Sequence, residues 1–318
     1  MSSLTPERSP AQAAVPAAAG PGRPARRWPV VVASGAAGLL LAVLWSASLV
    51  DSVIGDTVAN GLLGHDAKAD QIAGTATGLL FAFVSGLAGT FTACNIAMAA
   101  SLGPMAQASG SAAGRGGSLR PMLRSIGYLL AGMVGVSAVY GFAGVLLGDR
   151  LPQLSTATAA GIPVRLIQSS VVFGVIGLAM IYLGLAVLEV APDVFARRPV
   201  ARVVTLGALI GGFLIGRPYP LFHKLFQWAV HDGNPLVGAA AFVLQSVGNV
   251  LVVSVVFVLL QVVSGGRFLR AVAAHPVRVM LLTGALMIAM GVFDVAYWDV
   301  RLPALFGHGW FPTMPWNA

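Results

Sequence analysis

The chain has 318 residues, of which 57% are hydrophobic and only 9% charged, with a net charge of +8 and a mean hydropathy of +0.84. An average soluble domain carries roughly 25% charged residues, so this composition excludes a water-clothed globule and points to a bilayer as the main solvent. A single cysteine excludes an intrachain disulfide framework and a thiolate-rich zinc site.

Residues 1–27 are rich in Ala, Pro, Gly and Ser and end in RPARR. Such a segment cannot bury a core and reads as a disordered cytoplasmic tail. The first apolar run, 28–50, suits an anchor helix, since a span needs roughly 20 residues. A basic stretch before it and Ser46-Ala47-Ser48 after it also fit a signal peptide loosely. The long polar lead favours an uncleaved anchor.

Six further apolar runs follow, at 72–103, 124–148, 165–189, 203–222, 236–262 and 278–298. The breaks between them carry Gly, Pro and Arg, as turns between helices should. The expected fold class is therefore an all-α polytopic membrane protein of about seven transmembrane helices.

With the amino terminus in the cytoplasm, the inner segments hold 13 of the 19 basic residues, and eight of the 11 acidic residues fall outside. That is the positive-inside pattern, and it puts the 300–318 tail on the extracytoplasmic side of a cell membrane. Arginines grouped in short loops are topology signals rather than a nucleic-acid-binding face. The expected partner is the lipid bilayer, with no nucleic acid.

The last six spans divide into two groups of three, 72–190 and 203–299. Each opens on a glycine-rich helix with a break signal. In the first it is GLAGTFTACNIAMAAS. In the second it is GALIGGFLIGRPYPLFHKLF, where Gly216, Pro218 and Pro220 interrupt the apolar pattern. Each closes on a similar cadence, GVIGLAMIYLGLAV and LTGALMIAMGVFDV. Three spans per unit invert the second unit, so the reading is one anchor plus a 3+3 inverted repeat, with a site at the midplane where the broken helices meet.

On those residues the six-span core resembles the CcdA/DsbD transmembrane family of cytochrome c biogenesis, which moves reducing equivalents across the membrane for extracytoplasmic thiol chemistry. Thr92-Ala93-Cys94 stands where the family's first Ser/Thr-Pro-Cys motif would be, and Ala97 where a second proline follows. GYLLAGMVGVSAVYGFAGVLLG (127–148) is similar to its second span. GRPYPLF (216–222) matches the place of the second motif, with Pro220 at or beside the cysteine position. The resemblance implies redox handling or maturation of extracytoplasmic proteins, with Cys94 as the reactive group and a thioredoxin-like or other extracytoplasmic thiol protein as partner. It departs from the family in one decisive respect. A disulfide cycle needs two sulfurs, and this chain has one. A secondary transporter for a small solute or metal ion, and a non-catalytic assembly subunit, remain as alternatives. No cofactor is expected.

Cys94 reads either as a thiol, with Met98 one turn on as a soft-ion partner, or as a small packing residue beside Thr90 and Ser101 on one helix face. Asn95 is a candidate for hydrogen bonding across the bundle. Arg217, Tyr219 and His223 form the facing polar cluster around the gating prolines Pro218 and Pro220. The alternative is that the span ends near Gly216 and that Arg217, His223 and Lys224 reach the interface by snorkelling. Gln245 and Asn249, one helical turn apart, read as glue between helices. Asp294 lies near the outer end of the last span, close to Asp299 and Arg301; it reads as part of a surface ion pair, with a functional intramembrane carboxylate as the alternative. No histidine pair has metal-ligand spacing, and no metal site is expected.

Overall fold

A computed structural model describes residues 27–46, 48–91, 120–264 and 274–317. Apart from a two-residue β-hairpin (β1 Thr158–Ala159, β2 Ile162–Pro163), these residues form helices and their connections. The helices are α1 (Trp28–Leu44), α2 (Asp56–Leu63), α3 (Thr75–Ala88), α4 (Arg120–Leu147), α5 (Val164–Val187), α6 (Pro199–Gly216), α7 (Pro220–Asp232), α8 (Pro235–Val263), α9 (Pro276–Val295) and α10 (Leu302–Leu305). π-Helical stretches Ser48–Gly55 and Ala296–Arg301 lead into α2 and follow α9.

Five of the described stretches are long and apolar enough to cross a membrane: Ile126–Arg150, Val164–Val187, Pro199–Gly216, Pro235–Val252 and Pro276–Leu305. The bent pair Trp28–Leu44 and Ser48–Leu63 makes a sixth when taken as one span, and α3 is a shorter apolar helix. The outer wall is as apolar as the core: Val139, Val171, Val175 and Leu178 are 61–69% exposed. Apolar area facing outward on this scale marks a lipid-facing surface. The protein is a multi-pass helical membrane protein. Residues 51–63, beyond the end of the first apolar run, are helical, because 48–63 continues the apolar pattern past Asp51 and Asp56.

Helices in lipid gain little from burying apolar surface against one another, so close approach over small residues decides which ones pair. A methyl group at Gly132 of α4 would collide with the Val204 carbonyl of α6, and one at Gly86 of α3 with the Gln245 carbonyl of α8. Gly177 of α5 and Gly291 of α9 meet in the same way, each carbonyl against the other glycine. The main contacts are thus α4 with α6, α3 with α8, α5 with α9, α4 with α8, and α1 with α9. Two arginines fasten helix ends. Arg301, 5% exposed, donates to the carbonyls of Ala42 and Trp45 at the end of α1. Arg27 donates to the Leu188 carbonyl at the end of α5 and pairs with Glu189. Both place a cation on the negative end of a helix.

Candidate functional site

The sequence Gly216-Arg217-Pro218-Tyr219-Pro220 breaks an apolar pattern, and the reason is local. A residue before proline is pushed out of the helical region. Two such residues stand in series here: Arg217 at φ −78°, ψ 115°, and Tyr219 at φ −65°, ψ 132°. Both are extended. Pro220 then serves as the first residue of α7, where its missing N–H costs nothing. The expected interruption is therefore present, at Arg217–Tyr219 between α6 and α7.

The break lies part-way along the bundle rather than at its surface. Gly207 packs on Leu129 and Gly211 on Met133, so α6 and α4 run parallel in a fixed offset. That offset brings Ile215 level with Ser137, whose hydroxyl lies 2.5 Å from that of Ser246 halfway along the α8 span. α7 continues in the same direction, with Phe81 beside Lys224 and Gly78 against Trp228.

A break inside a bundle frees backbone groups that lipid cannot satisfy. Here glutamines from other elements take them. Gln168 of α5 donates through Nε2 to the Ile215 carbonyl at 2.8 Å, and Gln153 reaches the Arg217 carbonyl at 3.5 Å. Gln153 is 2% exposed, in the 3₁₀ turn Pro152–Leu154 of the loop after α4. Tyr140 of α4 adjoins Gln168, and the Gln153 carbonyl and Arg165 adjoin the His223 ring. Among the described residues, Tyr140 Oη, Gln168 Oε1 and His223 Nδ1 are buried without a hydrogen-bond partner. Three elements thus bring polar side chains together beside the break.

On the other side lies Arg217. Its guanidinium sits 4.9 Å from the Tyr219 ring centre. It also lies against the point where α3 gives way to the 3₁₀ turn Gly89–Phe91: a β-carbon on Gly89 would be 2.5 Å from Nη1 and 3.0 Å from Asn249 Oδ1. Thr90 and Asn249 are each 6% exposed there. The carboxyl end of α3 therefore meets the break between α6 and α7, and Arg217 is the side chain at that junction. Arg217 and His223 are half-buried. Tyr219 is 2% exposed and stands against Gly55 of the π-helical stretch. Pro218 is half-buried and Pro220 exposed. Cys94 and Asn95 lie outside the described residues.

Lys224 is half-buried and anchors a loop. Its ammonium donates to the carbonyls of Ala67, Lys68 and Asp70, and so holds the 64–71 loop onto α7. Gln245 and Asn249 lie buried where the backbone of α8 crosses α3 at Gly86. Asp294 corrects the expectation of a surface ion pair. It is 2% exposed, and Arg301 is turned to the carbonyls of α1. The hydrophobic context of α9 conceals this in the sequence, because Asp294 sits on its inward face. Gln153, Gln168 and Tyr140 were missed as well. The one available signal was the presence of polar groups in or beside apolar spans, and only the fold shows that they share a site.

Comparison of the chain with protein-family models, with curated proteins and with solved structures finds no match.

Proposed function

We propose that this protein is a secondary transporter for a small anionic solute, built as an anchor helix plus a 3+3 inverted repeat with its amino terminus in the cytoplasm. The repeat is supported by the way the helices exchange partners. The first helix of one unit packs on the second helix of the other in both directions, α3 on α8 and α6 on α4, while the second helices (α4, α8) and the third helices (α5, α9) pair with each other. Two units related by a two-fold axis in the membrane plane would produce this pattern.

The observation that carries the functional reading is Arg217 at the break between α6 and α7, against the end of α3. An intramembrane arginine costs at least about 2.5 kcal/mol even on insertion scales, and such residues mark solute and ion pathways. The arginine is joined by the amino-terminal end of α7, whose dipole also favours negative charge. Asn249, Thr90 and the Gln153–Gln168–Tyr140–His223 group supply neutral hydrogen-bonding partners around it. Anionic groups held by half-helix amino termini at the midplane are the recurring solution in such transporters.

A reductant-conduit role, as the resemblance to the CcdA/DsbD family suggests, is the second reading. It is favoured by one feature: Arg217 stands at Gly89–Thr90, the head of the segment that carries Cys94. A nearby cation stabilises a thiolate. Pro220 occupies the place of the second thiol, so a partner protein would have to supply that sulfur.

Uptake into vesicles carrying the full chain separates the two. The probes are inorganic phosphate, sulfate and a panel of small carboxylates, with the redox state of exported thiols followed in cells in parallel. Arg217→Ala should abolish uptake of the transported anion, and Arg217→Lys should weaken it, while Cys94→Ser leaves it unchanged. Uptake that survives Arg217→Ala, or no uptake of any probe above empty vesicles, overturns the transporter reading. A thiol defect in Cys94→Ser with uptake intact establishes the second.

A further inference from the structure

We propose that Asp294 and Asp299 form a proton-exchanging carboxyl pair in the last span, separate from the Arg217 site and independent of what that site carries. Asp294 occupies the last turn of α9 and is 98% buried, with relative exposure of 2%. Its Oδ2 has no hydrogen-bond partner among the described residues. It packs on α5 at Gly177, where a β-carbon would be 3.1 Å from the Asp294 Cβ. A buried carboxyl oxygen without a partner is costly, and an intramembrane carboxyl points to an ion or proton path.

The second observation is the chain that leads away from it. α9 passes into the π-helical stretch Ala296–Arg301, which carries Asp299. Single π-turns interrupt helices mostly where a function needs a side chain re-aimed. Asp299 and Asp294 face the same stretch of α5: Gly174 meets the Asp299 carboxyl and Gly177, three residues on, the Asp294 Cβ. Asp299 Oδ1 accepts a hydrogen bond from Ser170 Oγ at 2.6 Å, and its carboxyl lies over Gly174, where any side chain would displace it. Asp299 is half-buried, so the pair runs from an enclosed carboxyl to a partly open one.

The surroundings leave these two groups to each other. α1 packs on α9 and carries no charged residue. α5 brings Ser170 and, five residues earlier, Arg165, which lies by His223. Arg301 faces the Ala42 and Trp45 carbonyls and the Tyr297 ring. No basic group among the described residues forms an ion pair with Asp294 or Asp299. The exchange is simple in its balance: Asp294 releases a proton to the Asp299 carboxylate, Asp299 passes it to water at the bundle end, and the return runs in reverse.

Infrared difference spectroscopy of the purified full-length protein, titrated with acid and base, reads the carboxylic C=O stretch directly and needs no solute. The wild type should show a buried-carboxyl band that Asp294→Asn removes. Asp299→Asn should move its titration midpoint by about one pH unit or more, a tenfold change in proton affinity. A band that persists in Asp294→Asn, or a midpoint indifferent to Asp299→Asn, overturns the proposal. Should Asp294→Asn fail to fold, Asp294→Glu keeps the carboxyl, and a band that does not change frequency overturns it equally. Vesicle uptake can fail while this band behaves as expected, so the two readings fall separately.

Discussion

The guanidinium of Arg217 rests against the Cα of Gly89, so closely that a β-carbon there would stand 2.5 Å from Nη1. Two residues 128 positions apart in the chain thus mark where the end of α3 meets the α6/α7 break. Replacing Gly89 by Val should push the guanidinium aside without removing it. Uptake of the transported anion should fall at least tenfold, about 1.4 kcal/mol, while the thermal transition in detergent moves less than that of a core-packing variant. Unchanged uptake in Gly89→Val would separate Arg217 from the α3 end.

The α4–α6 contact provides a packing test with its own control. Gly132 has the Val204 carbonyl and the Ala208 amide against it, whereas Gly135, one turn on, has open space. Gly132→Leu should destabilise by about 1–3 kcal/mol, as overpacked sites do. Gly135→Ala should be neutral or stabilising by about 0.5–1 kcal/mol, because alanine suits a helix interior better. Thermal unfolding in detergent measures both, and equal effects would contradict the packing.

Ser137 and Ser246 join α4 to α8 through hydroxyls 2.5 Å apart, and Ser137 also bonds its own Met133 carbonyl. A double-mutant cycle with alanine should yield a coupling of about 0.6 kcal/mol, the average for such pairs in a membrane protein. Additivity of the two single changes would remove this link.

Lys224 gathers three carbonyls of the 64–71 loop. Lys224→Met should raise the rate of proteolysis within that loop by roughly tenfold, since a charged donor lost from several acceptors costs about 1.5 kcal/mol after allowance for its partial exposure. Global unfolding should shift little, because the opening is local. A loop as resistant as the wild type would assign its order to other contacts.

Asp66 in the same loop gives a pH effect of known sign. Backbone N–H groups of Ala69 and Lys68 donate to its carboxylate and hold it below the usual carboxylate range. Its contribution to loop order is therefore complete above the unfolded value of about 4 and is lost as pH falls through the lower folded value. Amide exchange at Lys68 and Ala69, corrected for the intrinsic rate, should quicken on acidification. In Asp66→Ala it should be quick at every pH.

The sequence by itself determined the solvent, the helical class and the place of the break. Those follow from local quantities: the charge fraction, the run lengths and the two X-Pro pairs that no helix can pass. It also showed that Gln245 and Asn249 share a face and that Arg217 and His223 flank the break. Only the tertiary structure decided which face each polar residue turns to. Asp294 looked peripheral by position and is enclosed, because its turn of α9 lies on α5 over Gly177. Lys224 looked like an interfacial charge and is a loop clamp. Gln153 and Gln168 carried no motif at all. Their role arises because a helix broken inside a bundle leaves carbonyls that some neighbour must satisfy, and which neighbour is within reach depends on how glycine surfaces bring distant helices together.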